Sequence, residues 1–191
     1  MLLSALIKTI GRPTLQNAVD SAVREGITPI VVSDGYLGDI QEGAVVLPKN
    51  WGTYGSVAAN VGVGFCETPY LMILDDDDEL AEGAGDVIRR KIDQSPDIDI
   101  WIPGLLFNNG MVLCDGSNKK IVPANVAVPI AKVEVFTNAP FRSKIPDPRF
   151  KDYADYFQIA ESTHMGHTVD WIGENTYLVR PKLEGTNGRG I

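Results

Sequence analysis

Tyr70-Leu71-Met72-Ile73-Leu74-Asp75-Asp76-Asp77-Asp78-Glu79 is the stretch from which the rest of the chain is read. Five residues with apolar or aromatic bodies run straight into five acids. The apolar half lacks polar alternation, which predicts a strand buried on both faces, as in a parallel sheet. The acids then fall at the carboxyl end of that strand, the edge where open α/β sheets bind ligands. Adjacent carboxylates repel and raise one another's pKa unless positive charge intervenes. Carboxylate oxygens suit a hard divalent cation such as magnesium, manganese or calcium. On an extended chain Asp75 and Asp77 face one side and Asp76 and Asp78 the other, so one Asp-x-Asp pair faces a shared metal and its phosphate ligand. The competing reading is a solvated acidic turn capping the next helix, where acids are also favoured. A calcium EF-hand is excluded by spacing. Counted from Asp75, the position that needs Gly is Leu80 and the position that needs the closing Glu is Asp86.

Upstream, residues 2–9 read as a first strand. Gly11-Arg12-Pro13 breaks it and opens a helix, with Pro13 near the first helical position. Leu15, Ala18, Val19, Ala22 and Val23 recur at helical spacing, and Gly26 suits the position just past the helix end. Residues 29–33 form a second strand, closed by Asp34-Gly35. Strand, helix and strand at this length make a βαβ unit with parallel strands. Residues 44–47 are a third short strand, followed by Lys49-Asn50-Trp51-Gly52. Residues 54–65 read as a helix in which Gly55, Gly62 and Gly64 each cost about 1 kcal/mol relative to alanine.

Downstream, residues 81–94 read as a helix with Val87, Ile88 and Ile92 inward, ended by Ser95-Pro96. Residues 98–102 are a strand. Residues 105–107 and 111–114 flank Asn108-Asn109-Gly110, which is hairpin-turn chemistry. Residues 126–136 carry strand-like side chains interrupted by Pro129, and Pro140, Pro146 and Pro148 mark a loop. Residues 152–163 are a helix, 169–172 and 176–179 closing strands, and 184–191 a mobile tail or, equally, a segment that folds over a ligand. The expected class is α/β: a mostly parallel central sheet with helices on both faces and a smaller mixed or antiparallel part in the second half.

A chain of 191 residues suits one domain. A domain of this size buries roughly 70% of its unfolded surface and needs no staples. The net charge of −8 leaves no basic face for nucleic acid. A hydrophobic content of 44% argues against disorder. Cys66 and Cys114 lie in no metal or redox spacing and read as buried free thiols in a reducing compartment. Residues 1–10 are apolar but too short to span a bilayer, and they lack a basic start and a cleavage site. The expectation is a soluble cytoplasmic protein without a membrane span.

Taken in order, several segments resemble the family-2 glycosyltransferases with the GT-A fold. They are Ile7-Lys8-Thr9-Ile10-Gly11-Arg12, Val31-Val32-Ser33-Asp34-Gly35, Asn50 with Ala58-Ala59-Asn60, the stretch 70–79, and Pro140-Phe141 leading to Phe150-Lys151-Asp152-Tyr153-Ala154-Asp155-Tyr156. The resemblance covers residues 2 to about 180. It implies a single GT-A domain over 1–191, with a nucleotide-binding half to about 95, an acceptor-binding half over 96–180 and a tail over 181–191. It further implies a nucleotide-diphospho-sugar donor (UDP-glucose favoured), Mn²⁺ or Mg²⁺, and inverting transfer to an acceptor hydroxyl. The implied acceptor is a saccharide, a lipid-linked group or a small molecule.

Carried over by position, Thr9, with Gly11 and Arg12, lies where the family's first strand meets the nucleotide. Asp34 matches the acid that hydrogen-bonds the base, and Asn50 and Asn60 fall on the donor side. Asp75 matches the first Asp of the metal motif, near the ribose, with Asp76 beside it. Asp77 matches the metal-binding Asp, and Asp78 a frequent acid. The family's general base comes from an acidic pair, often Glu-Asp, at the start of a late helix. Here the pair is Lys151-Asp152, with Asp155 one turn on; Asp152 is favoured and Asp155 is the alternative. An Arg that often precedes the family's Asn is Ala59 here, which leaves a phosphate contact to Arg12, Lys49 or Arg180. A late His serves some GT-A enzymes as a metal ligand, a role open to His164. No zinc motif contains His164 or His167, and a surface His is the competing reading. Two other functions fit parts of the sequence. A sugar nucleotidyltransferase needs a longer, glycine-richer loop than Thr9-Ile10-Gly11-Arg12-Pro13. A metal-dependent nucleotide-sugar binding module without transfer suits the missing Arg and the altered acidic pair.

Overall fold

Leu3–Thr9 (β1) and Tyr70–Asp75 (β4) lie side by side and parallel at the centre of the sheet. Neither strand alternates apolar with polar, and both are covered on two faces, as such strands require. The computed structural model describes residues 2–40, 42–53, 55–122, 127–142 and 154–179. On one side of β1 stand Thr28–Ser33 (β2) and Val45–Val46 (β3), both parallel to it. On the far side of β4 the pattern changes. Ile130–Lys132 (β8) pairs antiparallel with β4 and with Ile100–Phe107 (β6). Val169–Val179 (β9) runs parallel to β6, Glu79–Leu80 (β5) closes on β9, and Val112–Leu113 (β7) forms a hairpin with β6. The order is β3-β2-β1-β4-β8-β6-β9-β5, with β7 beside β6. A mostly parallel sheet continued by antiparallel strands is the class read from the sequence.

Leu15–Arg24 (α1) and Ala84–Gln94 (α3) meet through Glu25, whose carboxylate accepts the Gly85 N–H at 3.1 Å and whose carbonyl accepts Arg89 at 3.1 Å. Ser56–Val63 (α2) packs on Val133–Asn138 (α4), which in turn meets Ala154–His164 (α5). Among the described residues no helix is long and apolar enough to cross a membrane.

Three elements differ from the sequence reading. Residues 126–136 give only the short β8, and α4 begins at Val133. Val135, Phe136 and Ala139 are buried at helical spacing, and Phe136 stacks on Phe141 at 5.7 Å between centroids. That packing outweighs the strand preference of branched side chains. The two closing strands are one strand, β9, because its register with β6 shifts around Gly104 and absorbs the irregular middle. Strands 98–102 and 105–107 are likewise one strand. Pro103 is tolerated there because it falls between the last β8 pair at Trp101 and the first β7 pair at Leu105.

β6 and β9 run in the same direction as β4, through the antiparallel β8. Their carboxyl ends, Phe107 and Val179, therefore open on the same edge as Asp75. The proposed tail, 181–191, lies outside the described residues.

Candidate functional site: the acid turn at the carboxyl edge

β4 ends at Asp75, and the Asp78 N–H donates to the Asp75 carbonyl at 3.1 Å, which closes a tight turn. The next residues do not start a helix. Glu79 and Leu80 pair with Leu178 and Tyr177 as β5, and the Ala81 N–H donates to the Thr176 carbonyl at 3.1 Å. A strand and a turn thus separate the acids from α3, whose own first-turn acid is Asp86. The helix-capping reading of the acid run is removed by this geometry. The chain turns instead of staying extended, yet the acids still alternate. Asp76 and Asp78 are buried, while the Asp75 and Asp77 side chains are 39% and 36% exposed.

Each acid has a specific neighbour. Asp76 accepts the Thr9 hydroxyl at 2.5 Å and the Arg12 guanidinium. The same Thr9 oxygen accepts the Gly11 N–H at 2.9 Å, so the end of β1 and the start of the following loop are tied to the acid turn. Arg12 also lies 3.4 Å from Asp77. Lys8 stands opposite Asp75 in the β1–β4 register, and its ammonium lies 2.9 Å from Asp75 Oδ1. Beneath the turn is Tyr177, fully buried on β9, whose hydroxyl accepts the Asp75 N–H at 2.9 Å and bonds to Asp78. Burial first, then the charges of Asp78 and Asp75, push this phenol well above its ordinary value, so it stays neutral and keeps its proton to donate. α1 holds the other flank: Ser21 Oγ accepts the Leu80 N–H at 3.0 Å, and Arg24 donates to the Leu80 carbonyl at 2.6 Å.

The electrostatics divide the four acids. Asp77 is pushed above the ordinary carboxylate range by burial and then by Asp75, and Arg12 offsets this only in part. Arg12 serves Asp76 more closely than Asp77. Asp75 is paired with Lys8, while the charge on Asp77 is only partly offset, which is the condition a divalent cation relieves. Among the described residues no three His, Cys, Asp or Glu side chains converge on one point. That donor set fits an ion of the magnesium type, which takes one or two carboxylates and completes its shell with phosphate oxygens and water.

The other sequence-nominated residues sort by place. Asp34, at the end of β2, is buried; its N–H donates to the Thr9 carbonyl at 2.8 Å and its carboxylate accepts the Trp51 N–H at 3.1 Å. Gly35 has φ +83, and the backbone of Lys49 and Asn50 approaches so closely that a Cβ would overlap it. This contact brings the loop carrying Asn50 and Trp51 to the end of β2. Asn50 accepts the Gly52 N–H at 2.7 Å, and Lys49 lies over the Trp51 ring at 4.2 Å. Of the three candidate phosphate contacts, Arg12 reaches the acid turn, Lys49 is at the Trp51 loop, and Arg180 lies outside the described residues. Gly11 lies beneath the Tyr36 ring. Asn60 on α2 is engaged elsewhere. Its amide donates to the Phe141 carbonyl at 2.8 Å and accepts the Phe141 N–H at 2.9 Å, a two-bond clamp on that backbone.

Asp155, in the first turn of α5, accepts the Val128 N–H at 3.2 Å. Val128 has φ +38, an uncommon conformation for a branched residue, and it precedes β8 beside the end of β4. Asp152 lies outside the described residues. His164 is exposed at the opposite end of α5, eleven residues long, and joins no ligand cluster among the described residues. The sequence reading missed Lys8 and Tyr177 as site residues. A lone Lys in an otherwise buried strand was the available signal for the first. The second carried none, because a Tyr in a closing strand is ordinary core. Trp101 and Trp171 are core residues. A cavity of about 330 Å³, lined by Leu106, Phe107, Asn108, Gly110 and Leu178, lies at the carboxyl ends of β6 and β9.

No family model matches the sequence, and no curated protein matches it. Solved structures do match the fold. TarS 1-349 of S. aureus in complex with UDP-GlcNAc superposes with a TM-score of 0.74 at 14% identity, over 97% of this chain and 60% of that one. The mannosyltransferase PcManGT of Pyrobaculum calidifontis, in complex with GDP-Man and Mn²⁺, superposes with a TM-score of 0.63 at 12% identity, over 96% of this chain and 58% of that one. The bifunctional IspDF of Campylobacter jejuni gives 0.55 at 11% identity, over 92% and 50%. The chain thus spans about 60% of the TarS chain's length. Together with the sheet order and the acid turn at its carboxyl edge, these likenesses establish a GT-A glycosyltransferase-like fold.

Proposed function

We propose that the protein is a metal-dependent, inverting glycosyltransferase that moves a sugar from a nucleotide-diphospho-sugar, UDP-glucose by preference, to an acceptor hydroxyl. The observation that carries this reading is the outward pair Asp75 and Asp77 at the carboxyl edge of a GT-A-like sheet, with the charge on Asp77 only partly offset by Arg12. The likeness to structures holding UDP-GlcNAc, or GDP-Man with Mn²⁺, supports it.

In this reading Asp34, with the Asn50 and Trp51 loop, receives the nucleoside, and Thr9, Gly11 and Arg12 border the diphosphate. Asp75 and Asp77 would hold Mn²⁺ or Mg²⁺. Bound there, the ion would neutralise the diphosphate and stabilise the charge that develops on it. Arg12 adds a fixed positive charge and pairs with Asp76. The acceptor hydroxyl oxygen bonds to the anomeric carbon while the bond from that carbon to the diphosphate oxygen breaks, its electron pair leaving with the diphosphate. Asp152 takes the hydroxyl proton as general base. Asp155, which accepts the Val128 N–H, is the alternative base. The region from 96 to 180 receives the acceptor.

Substituting Asp152→Asn tests the transfer step. Donor binding should stay within about twofold and turnover should fall by about 10²-fold or more. Undiminished turnover would move the base to another residue. Loss of donor binding together with turnover would place Asp152 in donor recognition instead. Release of UDP from a UDP-sugar, or transfer to a test acceptor, separates an enzyme from a binding module.

A further inference from the structure

Lys8 belongs to none of the roles assigned so far, yet its surroundings are closely built. The β1–β4 register sets it beside Asp75. Its stem crosses Gly55, the left-handed residue before α2, where a Cβ would stand 2.6 Å from Lys8 Cδ. A side chain at that position would push the lysine off its course. The side chain is only 16% exposed, and its ammonium meets Asp75 Oδ1 at 2.9 Å. Asp75 is also one of the two outward carboxylates proposed as the metal seat. An ammonium and a divalent cation drawn to one carboxylate repel each other, and each lowers the other's gain.

We propose that Lys8 is the resident counter-cation of the metal seat, holding Asp75 in the ligand-free protein and competing with the divalent ion for it. The ion is then held weakly until a nucleoside diphosphate arrives, because the diphosphate gives the displaced ammonium a new negative partner. A seat filled in advance by Lys8 couples metal binding to donor binding. The inference rests on the proposed donor site. Lys8 is a positioning residue in this account, since it acts through Asp75.

The test titrates Mn²⁺ into the protein without nucleotide and reads the free ion by its paramagnetic resonance signal, for wild type, Lys8→Met, Lys8→Gln and Lys8→Arg. Lys8→Met and Lys8→Gln should each tighten Mn²⁺ by about tenfold or more, and Lys8→Arg should stay within about twofold of wild type. With saturating UDP the gap between Lys8→Met and wild type should narrow. Unchanged or weaker Mn²⁺ binding in both neutral variants, with native melting curves, overturns the proposal. Calorimetry of UDP with and without Mn²⁺ on the wild type separates the two claims. Mn²⁺-dependent UDP binding beside an unchanged Lys8→Met removes Lys8 alone. No UDP binding under either condition removes the donor site, and the Lys8 assignment with it.

Discussion

The sheet carries a carboxylate cluster at each end, and the two are built in opposite ways. At the start of β6, Asp99 meets Lys132 at 2.7 Å, the Thr168 N–H at 3.0 Å and the Thr168 hydroxyl at 3.2 Å, with His167 Nδ1 at 3.5 Å. Burial works against its charge, but the bonds from Lys132 and Thr168 overcome that, and the carboxyl falls to about 2. At the other edge, Arg12 is shared between Asp76 and Asp77, and burial with Asp75 pushes Asp77 up. One cluster brings several donors to a single acid and is complete within the protein. The other brings acids together faster than cations, a state that structures keep mainly where function requires it. The first ties β6, β8 and β9 together. The second leaves Asp77 with a cation that it shares with Asp76.

Substitutions can break this contrast from either side. The largest loss should come from Asp76→Ala, which leaves the buried Thr9 hydroxyl without its acceptor and the half-buried Arg12 guanidinium with Asp77 at 3.4 Å as its remaining partner in the acid turn. It should cost about 3 kcal/mol, read as a shift in the urea midpoint at constant slope. Asp99→Asn should come next. The drop of its carboxyl from the ordinary 3.8 to about 2 is worth about 2 kcal/mol at neutral pH. Because the folded value is the lower one, that stability is complete above about pH 4 to 5 and fades as pH falls towards 2. The difference between wild type and Asp99→Asn should shrink over that window. Tyr177→Phe removes the hydroxyl from between the Asp75 N–H and Asp78, and should cost about 1–2 kcal/mol. It should also weaken donor binding, since the acid turn loses its support.

The smallest effect has the opposite sign. A carboxyl whose folded value is raised costs stability at neutral pH and recovers it as pH falls through that value. Asp77→Asn should therefore raise the melting temperature of the ligand-free protein, by roughly 1–2 °C given its exposure to solvent. A clear drop would mean that Asp77 is as well compensated as Asp99, and the contrast between the two edges would disappear.

The parallel half of the fold was open to reading because its signal is local. The unbroken apolar run before Asp75, the helical spacing from Leu15 to Val23 and the turn at Asn108-Asn109-Gly110 each lie within one short segment. The acid turn's position followed from the strand before it. Its partners did not, because they come from long-range pairing. Lys8 reaches Asp75 only through the register of two strands some 67 residues apart in sequence. Tyr177 reaches the Asp75 N–H across a separation of 102. Glu79 looked like the last acid of a run, and only pairing with Leu178 makes it a strand. Val133–Asn138 carries strand-favouring side chains, and its helix is settled by where Val135 and Phe136 are buried. Asn60 looked like a donor contact, but its spacing gave no sign of the Phe141 backbone that occupies it.

The measurement closest to the central claim is calorimetric titration of UDP into the protein, with and without Mn²⁺, for wild type and Asp77→Asn. UDP binding should require Mn²⁺ in the wild type and weaken by about tenfold or more in the variant. UDP binding of equal strength in both proteins and indifferent to Mn²⁺, or no binding at all, would contradict it.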